Sequence, residues 1–146
     1  MFAPAPSSLK PRILVVDDEQ MIGRTLRRSL AKDHEIVFLD SGSAAIELLE
    51  SDCCFDLVLC DLMMPQTSGM DLYHWVMEHR AALTPRFVFM TGGSFTERSR
   101  AFLHQVKNPQ VEKPFDTESL RQLVARQIEM LGPSERNAPE VRALAG

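Results

Sequence analysis

The sequence predicts a doubly wound α/β domain, in which helices cover both faces of a single parallel sheet. Short continuous apolar runs, which are typical of strands buried on both faces, recur along the chain. Segments with apolar residues at helical spacing alternate with these runs, and the connections between them are short. This alternation predicts right-handed βαβ units, and therefore one parallel sheet within residues 12–131 of the 146-residue chain.

The first half of this domain contains three predicted strands and two predicted helices. The strands are expected at 13–16 (ILVV), 35–39 (EIVFL) and 55–60 (FDLVLC). The helices are expected over 20–31 and 43–50, where the apolar residues lie on one face of a helix.

The second half contains three predicted helices and two predicted strands. A helix over 69–79 precedes a strand at 87–90, and a weaker helix over 96–105 precedes a short strand near 110–112. Asp116 is a suitable N-cap for a last helix that carries apolar residues up to Leu131. Five strands and five helices in so small a chain predict the flavodoxin-like order 2-1-3-4-5.

The two ends of the chain differ in composition from the domain. Residues 1–11 contain three prolines with Ala and Ser, which predicts a flexible N-terminal segment. Residues 132–146 begin with Gly-Pro, a helix stop, and are expected to form a C-terminal tail. This tail is too short to build a helix-turn-helix module, so we expect no direct binding to DNA.

Composition and charge exclude several classes of protein. Apolar residues make up 45% and charged residues 25% of the chain, which excludes disorder, collagen and coiled coil as overall descriptions. The net charge of −4 provides no basic field for nucleic acid or an anionic membrane. Three cysteines, two of them adjacent, fit a reducing compartment. No apolar run is long enough to span a bilayer, so we expect a cytoplasmic protein.

Strongly polar residues directly follow four of the five predicted strands. Asp17 and Asp18 follow the first strand, Asp61 the third, Thr91 the fourth and Lys113 the fifth. In a doubly wound sheet, ligands bind at the carboxyl ends of the strands, where the winding direction reverses between the first and third strands. We therefore expect these five residues to share one crevice.

The chemistry of these side chains suits a phosphate and a divalent cation. Converging carboxylates repel one another, and an all-oxygen site with room for water suits Mg²⁺. A lysine amine and a threonine hydroxyl are donors for phosphate oxygens, and an aspartate can act as a nucleophile towards phosphorus. Each residue alone is better explained as part of a turn or a surface, but four such coincidences at strand ends favour a site.

Four segments together carry a family resemblance. ILVVDDE (13–19), FDLVLCDLMMPQTSG (55–69), FMTGG (89–93) and VEKPF (111–115), in this order and spacing, resemble the receiver domain of bacterial two-component response regulators. The resemblance covers roughly residues 11–131. It implies a phosphoacceptor domain that works with Mg²⁺ and switches conformation on phosphorylation.

The resemblance also implies a role for each residue at the strand ends. Asp61 matches the phosphoacceptor, and Asp17 and Asp18 match the acidic pair that holds Mg²⁺, with Asp18 the direct ligand and Asp17 acting largely through water. Met63 would contribute its backbone carbonyl to the metal.

Thr91 and Lys113 match the hydroxyl and the amine that bind the phosphoryl group in this family. The Lys113–Pro114 bond is expected to be cis. The chain departs from the family pattern at Gln110, where receivers commonly have an aromatic residue whose rotamer follows phosphorylation. TGG after the fourth strand is more similar to the receivers of hybrid sensor kinases, so both a stand-alone regulator and the terminal receiver of a hybrid kinase stay open.

The resemblance implies a signalling protein that is modified once and does not turn over a substrate. Its partner would be a sensor histidine kinase or a histidine phosphotransfer protein, and the chain would be a monomer or a weak dimer. Arg24, Arg27 and Arg28 form a basic stripe on the first helix, read as a solvated face or as a docking contact for an acidic partner helix.

Two other classes stay open at this point. One is a Mg²⁺-dependent phosphohydrolase of the haloacid-dehalogenase type, which needs a second aspartate two positions after the nucleophile; Met63 stands there instead. The other is a receiver used only as a binding module.

Overall fold

One five-stranded parallel sheet forms the centre of the computed structural model, which describes residues 10–134. The strands occupy β1 Arg12–Val16, β2 Glu35–Leu39, β3 Leu57–Asp61, β4 Phe87–Thr91 and β5 Gln110–Glu112. Their order in the sheet is β2-β1-β3-β4-β5, and every neighbouring pair is parallel. The predicted doubly wound fold is therefore confirmed.

Five α-helices connect and follow the strands, as predicted. They occupy α1 Gln20–Leu30, α2 Gly42–Leu49, α3 Gly69–His79, α4 Glu97–Gln105 and α5 Thr117–Leu131. Ser68 and Thr96 cap α3 and α4 with reciprocal capping boxes, and Asp116 caps α5 by accepting the Ser119 N–H at 2.9 Å, as expected for an N-cap.

Two apolar clusters cover the two faces of the sheet. On one face, β1 and β3 residues such as Leu14 and Val58 pack with helices α2, α3 and α4. On the other face, neighbouring strand residues such as Val15 and Leu59 pack with α1 and α5. Alternate residues of each strand thus enter opposite clusters, which explains the continuous apolar runs in the sequence.

The strand register places the carboxyl ends side by side. Val16 lies opposite Cys60 in the β1–β3 pair, and Asp61 lies opposite Met90 in the β3–β4 pair. Thr91 lies opposite Glu112 in the β4–β5 pair. The residues at the carboxyl end of one strand therefore lie beside those at the carboxyl end of the strand next to it in the sheet.

The third strand begins later than predicted. The predicted strand started at 55, but β3 begins at Leu57, and the buried Asp56 directly before it makes side-chain hydrogen bonds to two backbone N–H groups. Its carboxylate accepts the Arg12 N–H at 2.7 Å and the Ser134 N–H at 2.8 Å. The other predicted bounds differ from the structure by at most one residue at either end.

A 3₁₀ helix over Ala81–Arg86, which the sequence did not indicate, leads into β4. Its last residue, Arg86, donates from Nη1 to the carbonyl oxygens of Asp56 and Gly132 at 3.0 Å, and from Nη2 to those of Leu131 at 3.4 Å and Pro133 at 3.3 Å. These bonds hold the end of α5 and the start of the predicted tail against the sheet.

The predicted end segments lie mostly outside the described residues. Of segment 1–11, residues 10 and 11 are described, and the Pro11 carbonyl accepts the Glu35 N–H at 2.8 Å. Of segment 132–146, residues 132–134 are described. Between residues 10 and 134, no helix has the length and apolar character needed to cross a membrane.

Candidate functional site

Three aspartates converge at the carboxyl ends of β1 and β3. Asp17, Asp18 and Asp61 each present a carboxylate oxygen within 4.8 Å of the other two. Asp17 is fully buried, Asp61 is 5% exposed and Asp18 lies at the surface. The structure thus brings together the three carboxylates that the sequence predicted.

Lys113 reaches this cluster from the end of β5. Its Nζ lies 2.8 Å from Asp17 Oδ2, 3.1 Å from Glu19 Oε1 and 3.5 Å from Asp61 Oδ1. The Lys113 backbone N–H donates to the Thr91 carbonyl at 2.7 Å, which ties the lysine to the end of β4. The Lys113–Pro114 bond is cis, as expected.

Thr91 ends β4, the strand that lies between β3 and β5. The residue is 5% exposed at the end of β4, beside the end of β3. Gly92 and Gly93 follow it in an exposed loop, and Gly93 has a φ of +89°, a conformation that favours glycine. The three aspartates and Lys113 therefore converge at this edge of the sheet, and Thr91 lies at the same edge. Met63, the predicted carbonyl ligand, follows Asp61 on the adjoining loop, with a side chain exposed to solvent.

The charge of Asp61 is costly in this environment. Burial and the negative charge of Asp17 raise the pKa of Asp61 to about 7, although the Lys113 ammonium lowers it in part. Burial also raises the pKa of Asp17. At neutral pH the crevice therefore holds an excess of negative charge that a cation would relieve.

Lys113 is held in its charged form. Burial lowers the pKa of Lys113, but the bond to Asp17 and the charges of Asp61 and Asp17 outweigh this effect, so that the pKa lies above its ordinary value. The residue supplies a permanent positive charge beside Asp61. Such a fixed ammonium is a suitable partner for phosphate oxygens.

A divalent cation fits the donor set. Asp17 Oδ2 is buried and accepts no well-aligned hydrogen bond, although Lys113 Nζ lies 2.8 Å away as an ionic neighbour. A buried carboxylate oxygen without a donor is costly unless a cation compensates it. Together with Asp18 and Asp61, it makes an all-oxygen set of the kind that Mg²⁺ binds with additional water.

The backbone approaches Asp61 closely from α3. A Cβ at Gly69 would collide with the Asp61 carbonyl oxygen, and the Gly69 N–H donates to the Leu62 carbonyl at 2.9 Å. Glycine at 69 therefore allows the start of α3 to support the loop that carries the end of β3.

Glu19 is a member of the site to which sequence reasoning assigned no role. Its carboxylate bonds Lys113, and its backbone N–H donates to Asp17 Oδ1 at 2.8 Å. The available signal was its position directly after Asp17 and Asp18, but Lys113 lies 94 residues away, so their contact depends on the fold.

Gln110, at the position of the usual aromatic residue, is exposed on β5. It lines a cavity of about 380 Å³ together with Phe95, Arg100, Leu103 and His104. Phe95, on the loop before α4, brings an aromatic ring to this cavity and is 38% exposed.

Comparison with known sequences points to one family. The sequence model of the response regulator receiver domain matches residues 13–125. The transcriptional regulatory protein ResD of Bacillus subtilis is 36% identical over 117 residues, which are 79% of this chain and 45% of ResD. The sensor protein GacS of Pseudomonas syringae is 30% identical in an alignment 147 positions long, which covers 95% of this chain and 15% of GacS. The chain thus spans half or less of the length of these curated relatives.

Solved structures agree with this assignment. The receiver domain protein (CheY-like) of Methanospirillum hungatei superposes with a TM-score of 0.73 at 23% identity, covering 85% of this chain and 97% of that one. The receiver domain of the Francisella response regulator 1452 gives a TM-score of 0.71 at 19% identity, covering 84% and 100%. At these identities the likeness shows the fold, and the sequence match shows the family. The chain belongs to the response regulator receiver domain family of two-component systems.

Proposed function

We propose that this receiver accepts a phosphoryl group from a phosphohistidine onto Asp61, in a Mg²⁺-dependent step that the receiver itself catalyses. The observation that carries the proposal is the convergence of Asp17, Asp18 and Asp61 within 4.8 Å, with Lys113 Nζ 3.5 Å from Asp61 Oδ1. A carboxylate nucleophile, an acidic pair for a cation and a fixed ammonium are the parts that phosphoryl transfer needs.

The transfer exchanges one bond to phosphorus for another. An Oδ atom of ionised Asp61 forms a bond to phosphorus while the bond from phosphorus to the imidazole nitrogen breaks. The nitrogen keeps the bonding electron pair and takes up a proton, and Asp61 becomes an acyl phosphate. The raised pKa of Asp61 means that positive charge beside it favours the ionised form required for attack.

Asp17, Asp18, Asp61 and the Met63 backbone carbonyl would hold Mg²⁺. When bound, the ion supplies positive charge that offsets the negative charge of the transferring phosphoryl group. The three aspartates at the ends of β1 and β3 would provide its carboxylate ligands.

Thr91 and Lys113 would bind the phosphoryl group after transfer. Lys113 supplies an ammonium and Thr91 a hydroxyl, each a donor to phosphate oxygens. Thr91 ends β4, which pairs with β3, and Lys113 directly follows β5, which pairs with β4. The new charge on Asp61 would then shift an existing equilibrium between two conformations.

The proposed partner is a sensor histidine kinase or a histidine phosphotransfer protein. The relatives include sensor proteins as well as transcriptional regulators, which supports a phosphohistidine donor. The exposed arginines of α1 (Arg24, Arg27 and Arg28) lie on the helix that begins at the site and would meet an acidic partner face. We further propose a cytoplasmic monomer or weak dimer without direct contact to nucleic acid or membrane, with residues 12–131 as its domain.

We propose a stoichiometric signalling role without substrate turnover. The haloacid-dehalogenase alternative needs a second aspartate beside the nucleophile, and Met63 stands at that position with an exposed thioether side chain. The named relatives do not favour that alternative. The binding-module alternative is opposed by the complete acidic set at the strand ends.

Labelling with a small acyl phosphate donor in Mg²⁺ tests the proposal. We expect one phosphate per chain in the wild type and none in Asp61→Asn, because an amide does not attack phosphorus. Asp33→Asn, which removes an exposed carboxylate outside the site, should label like the wild type. Stoichiometric acid-labile phosphate on Asp61→Asn would contradict the assignment, and continuous hydrolysis of a generic phosphomonoester would favour the phosphohydrolase.

A further inference from the structure

The Lys113 ammonium is shared by three carboxylates, of which Glu19 is the third. Its Nζ lies 2.8 Å from Asp17, 3.1 Å from Glu19 and 3.5 Å from Asp61. The contact with Glu19 Oε1 is a well-aligned hydrogen bond, whereas those with Asp17 and Asp61 are ionic contacts. The shorter contacts are to Asp17 and Glu19, and the contact to the proposed phosphoacceptor is the longest.

A phosphoryl group on Asp61 would add acceptor oxygens beside Lys113. Since the ammonium is a single charge that already faces three carboxylates, a phosphoryl group that binds it weakens its contact with at least one of them. Asp17 is fully buried, and its Oδ2 atom has no well-aligned donor, so the loss of Lys113 would leave it without compensation. Asp61 would itself carry the phosphoryl group. Glu19, with a side chain 62% exposed, can exchange Lys113 for water at small cost.

Two local features place the Glu19 carboxylate over Lys113. The Glu19 backbone N–H donates to Asp17 Oδ1 at 2.8 Å, which fixes the residue beside the acidic pair. Glu19 is also the N-cap residue of α1, yet its side chain makes no capping hydrogen bond to the helix. The side chain turns towards Lys113 instead, where Oε1 accepts from Nζ.

We propose that Glu19 is a positioning residue that holds the Lys113 ammonium in the unmodified chain and is displaced by the phosphoryl group on Asp61. The inference rests on the proposed function, since it assigns the phosphoryl group to Asp61. It makes Glu19 a competitor that opposes phosphorylation through Lys113. A chain without this contact would offer Lys113 to the phosphoryl group more readily.

The test is the affinity for beryllofluoride, a phosphoryl mimic, at saturating Mg²⁺. Glu19→Gln should bind beryllofluoride about 2- to 5-fold more tightly than the wild type, the size of effect expected for an exposed ion pair. Glu19→Asp keeps the charge but is one methylene shorter, so it should also bind more tightly. Asp40→Asn removes a carboxylate after β2, at the same edge of the sheet, and should bind like the wild type.

The outcomes separate this inference from the proposed function. Tighter binding in both Glu19 variants, with Asp40→Asn unchanged, supports the competition for Lys113. Glu19 variants equal to or weaker than the wild type, or a Glu19→Asp that matches the wild type, would overturn it. An equal gain in Asp40→Asn would also overturn it, because the loss of any one negative charge near the site would then explain the tighter binding. A wild type that binds no beryllofluoride would overturn the proposed function and the inference together.

Discussion

At the scale of single residues, the site is dominated by the cost of collecting carboxylates. Asp17 and Asp61 are buried side by side, and Lys113 compensates them only in part. A fold optimised for stability alone would have little reason to keep this arrangement, because each buried charge has to be stabilised by a partner. The arrangement is explained by a ligand that brings positive charge, and by chemistry that needs an ionised Asp61.

The first prediction concerns the stability of the chain in the presence of a metal chelator. Asp61 has a folded pKa of about 7, above its ordinary value of 3.8, so the folded state favours the protonated form. Protonated Asp61 therefore leaves the free energy of unfolding at its full value below about pH 4. This free energy falls as the pH rises through 7 and Asp61 ionises in the folded state. Asp61→Asn removes this loss and should stabilise the chain at pH 8 by about 2 kcal/mol, with little gain at pH 4.

Thermal unfolding at both pH values measures this effect. Asp33→Asn is the matched control, because it changes the same group at an exposed position outside the site. An Asp61→Asn protein with the same gain at both pH values, or with a loss at pH 8, would contradict the assigned electrostatics.

The residues of the site were predictable from sequence to the extent that they directly follow strands. Asp17, Asp61 and Thr91 each end an apolar run, Lys113 directly follows the short fifth strand, and parallel strands bring such ends together. The contact of Glu19 with Lys113 and the buried bonds of Asp56 could not be predicted in this way. They join positions far apart in sequence, and nothing in the local pattern indicates which distant partner a carboxylate meets.

At the scale of elements, the region around β4, α4 and β5 differs most from the family pattern. The β5 strand has three residues, and exposed Gln110 lies where receivers commonly have an aromatic ring. The loop after Thr91 contains two exposed glycines, and α4 contributes one large buried apolar residue, Phe102. The loop 92–94 is exposed throughout, whereas Phe102 ties α4 to an aromatic cluster with Tyr73 and Phe89. The loop is therefore the part of this region with the least to hold it in one conformation.

We predict that phosphorylation acts on the loop 92–94 and on α4, and not through a side-chain switch at Gln110. Gln110→Ala should leave phosphorylation and the structural response nearly unchanged. In Thr91→Ala, phosphorylation should no longer produce the structural response. Hydrogen exchange with and without beryllofluoride measures the response. Protection changes confined to 110–112, with 92–105 silent, would contradict this prediction.

The helices and strands were predictable because their periodic patterns are strong. The bounds of β2 and α3 match the prediction fully, since each has a clear start and stop in sequence. The 3₁₀ helix over Ala81–Arg86 was missed because AALTPR has no helical apolar period and contains a proline. This helix places Arg86, whose guanidinium donates hydrogen bonds to the carbonyl groups of the residues after α5.

At the scale of the whole molecule, the sheet order explains why the site exists. Placing β1 and β3 side by side, with helices crossing to opposite faces, opens a crevice at their carboxyl ends. The two apolar clusters on either face make this frame rigid, so the carboxylates cannot separate to relieve their repulsion. The affinity for a cation is therefore a property of the fold as much as of the three side chains.

We accordingly expect Mg²⁺ to stabilise the folded chain at neutral pH. At an ion concentration of 100 times Kd, the gain is about 2.7 kcal/mol, or about 5–10 °C in Tm for a domain of this size. Asp18→Ala should remove most of this gain. Leu57→Ala, which destabilises the buried β3 strand, should keep it. Equal responses of the wild type and Asp18→Ala would exclude Asp18 as a ligand.

Locating the phosphoryl group tests whether Asp61 is the phosphoacceptor. The chain is phosphorylated by a small acyl phosphate donor in Mg²⁺, the acyl phosphate is reduced with borohydride, and peptide mass spectrometry identifies the modified residue. We expect reduction of Asp61 alone, and none in chelator or in Asp61→Asn. Reduction at Asp17, at Asp18 or at a residue outside the crevice would contradict it.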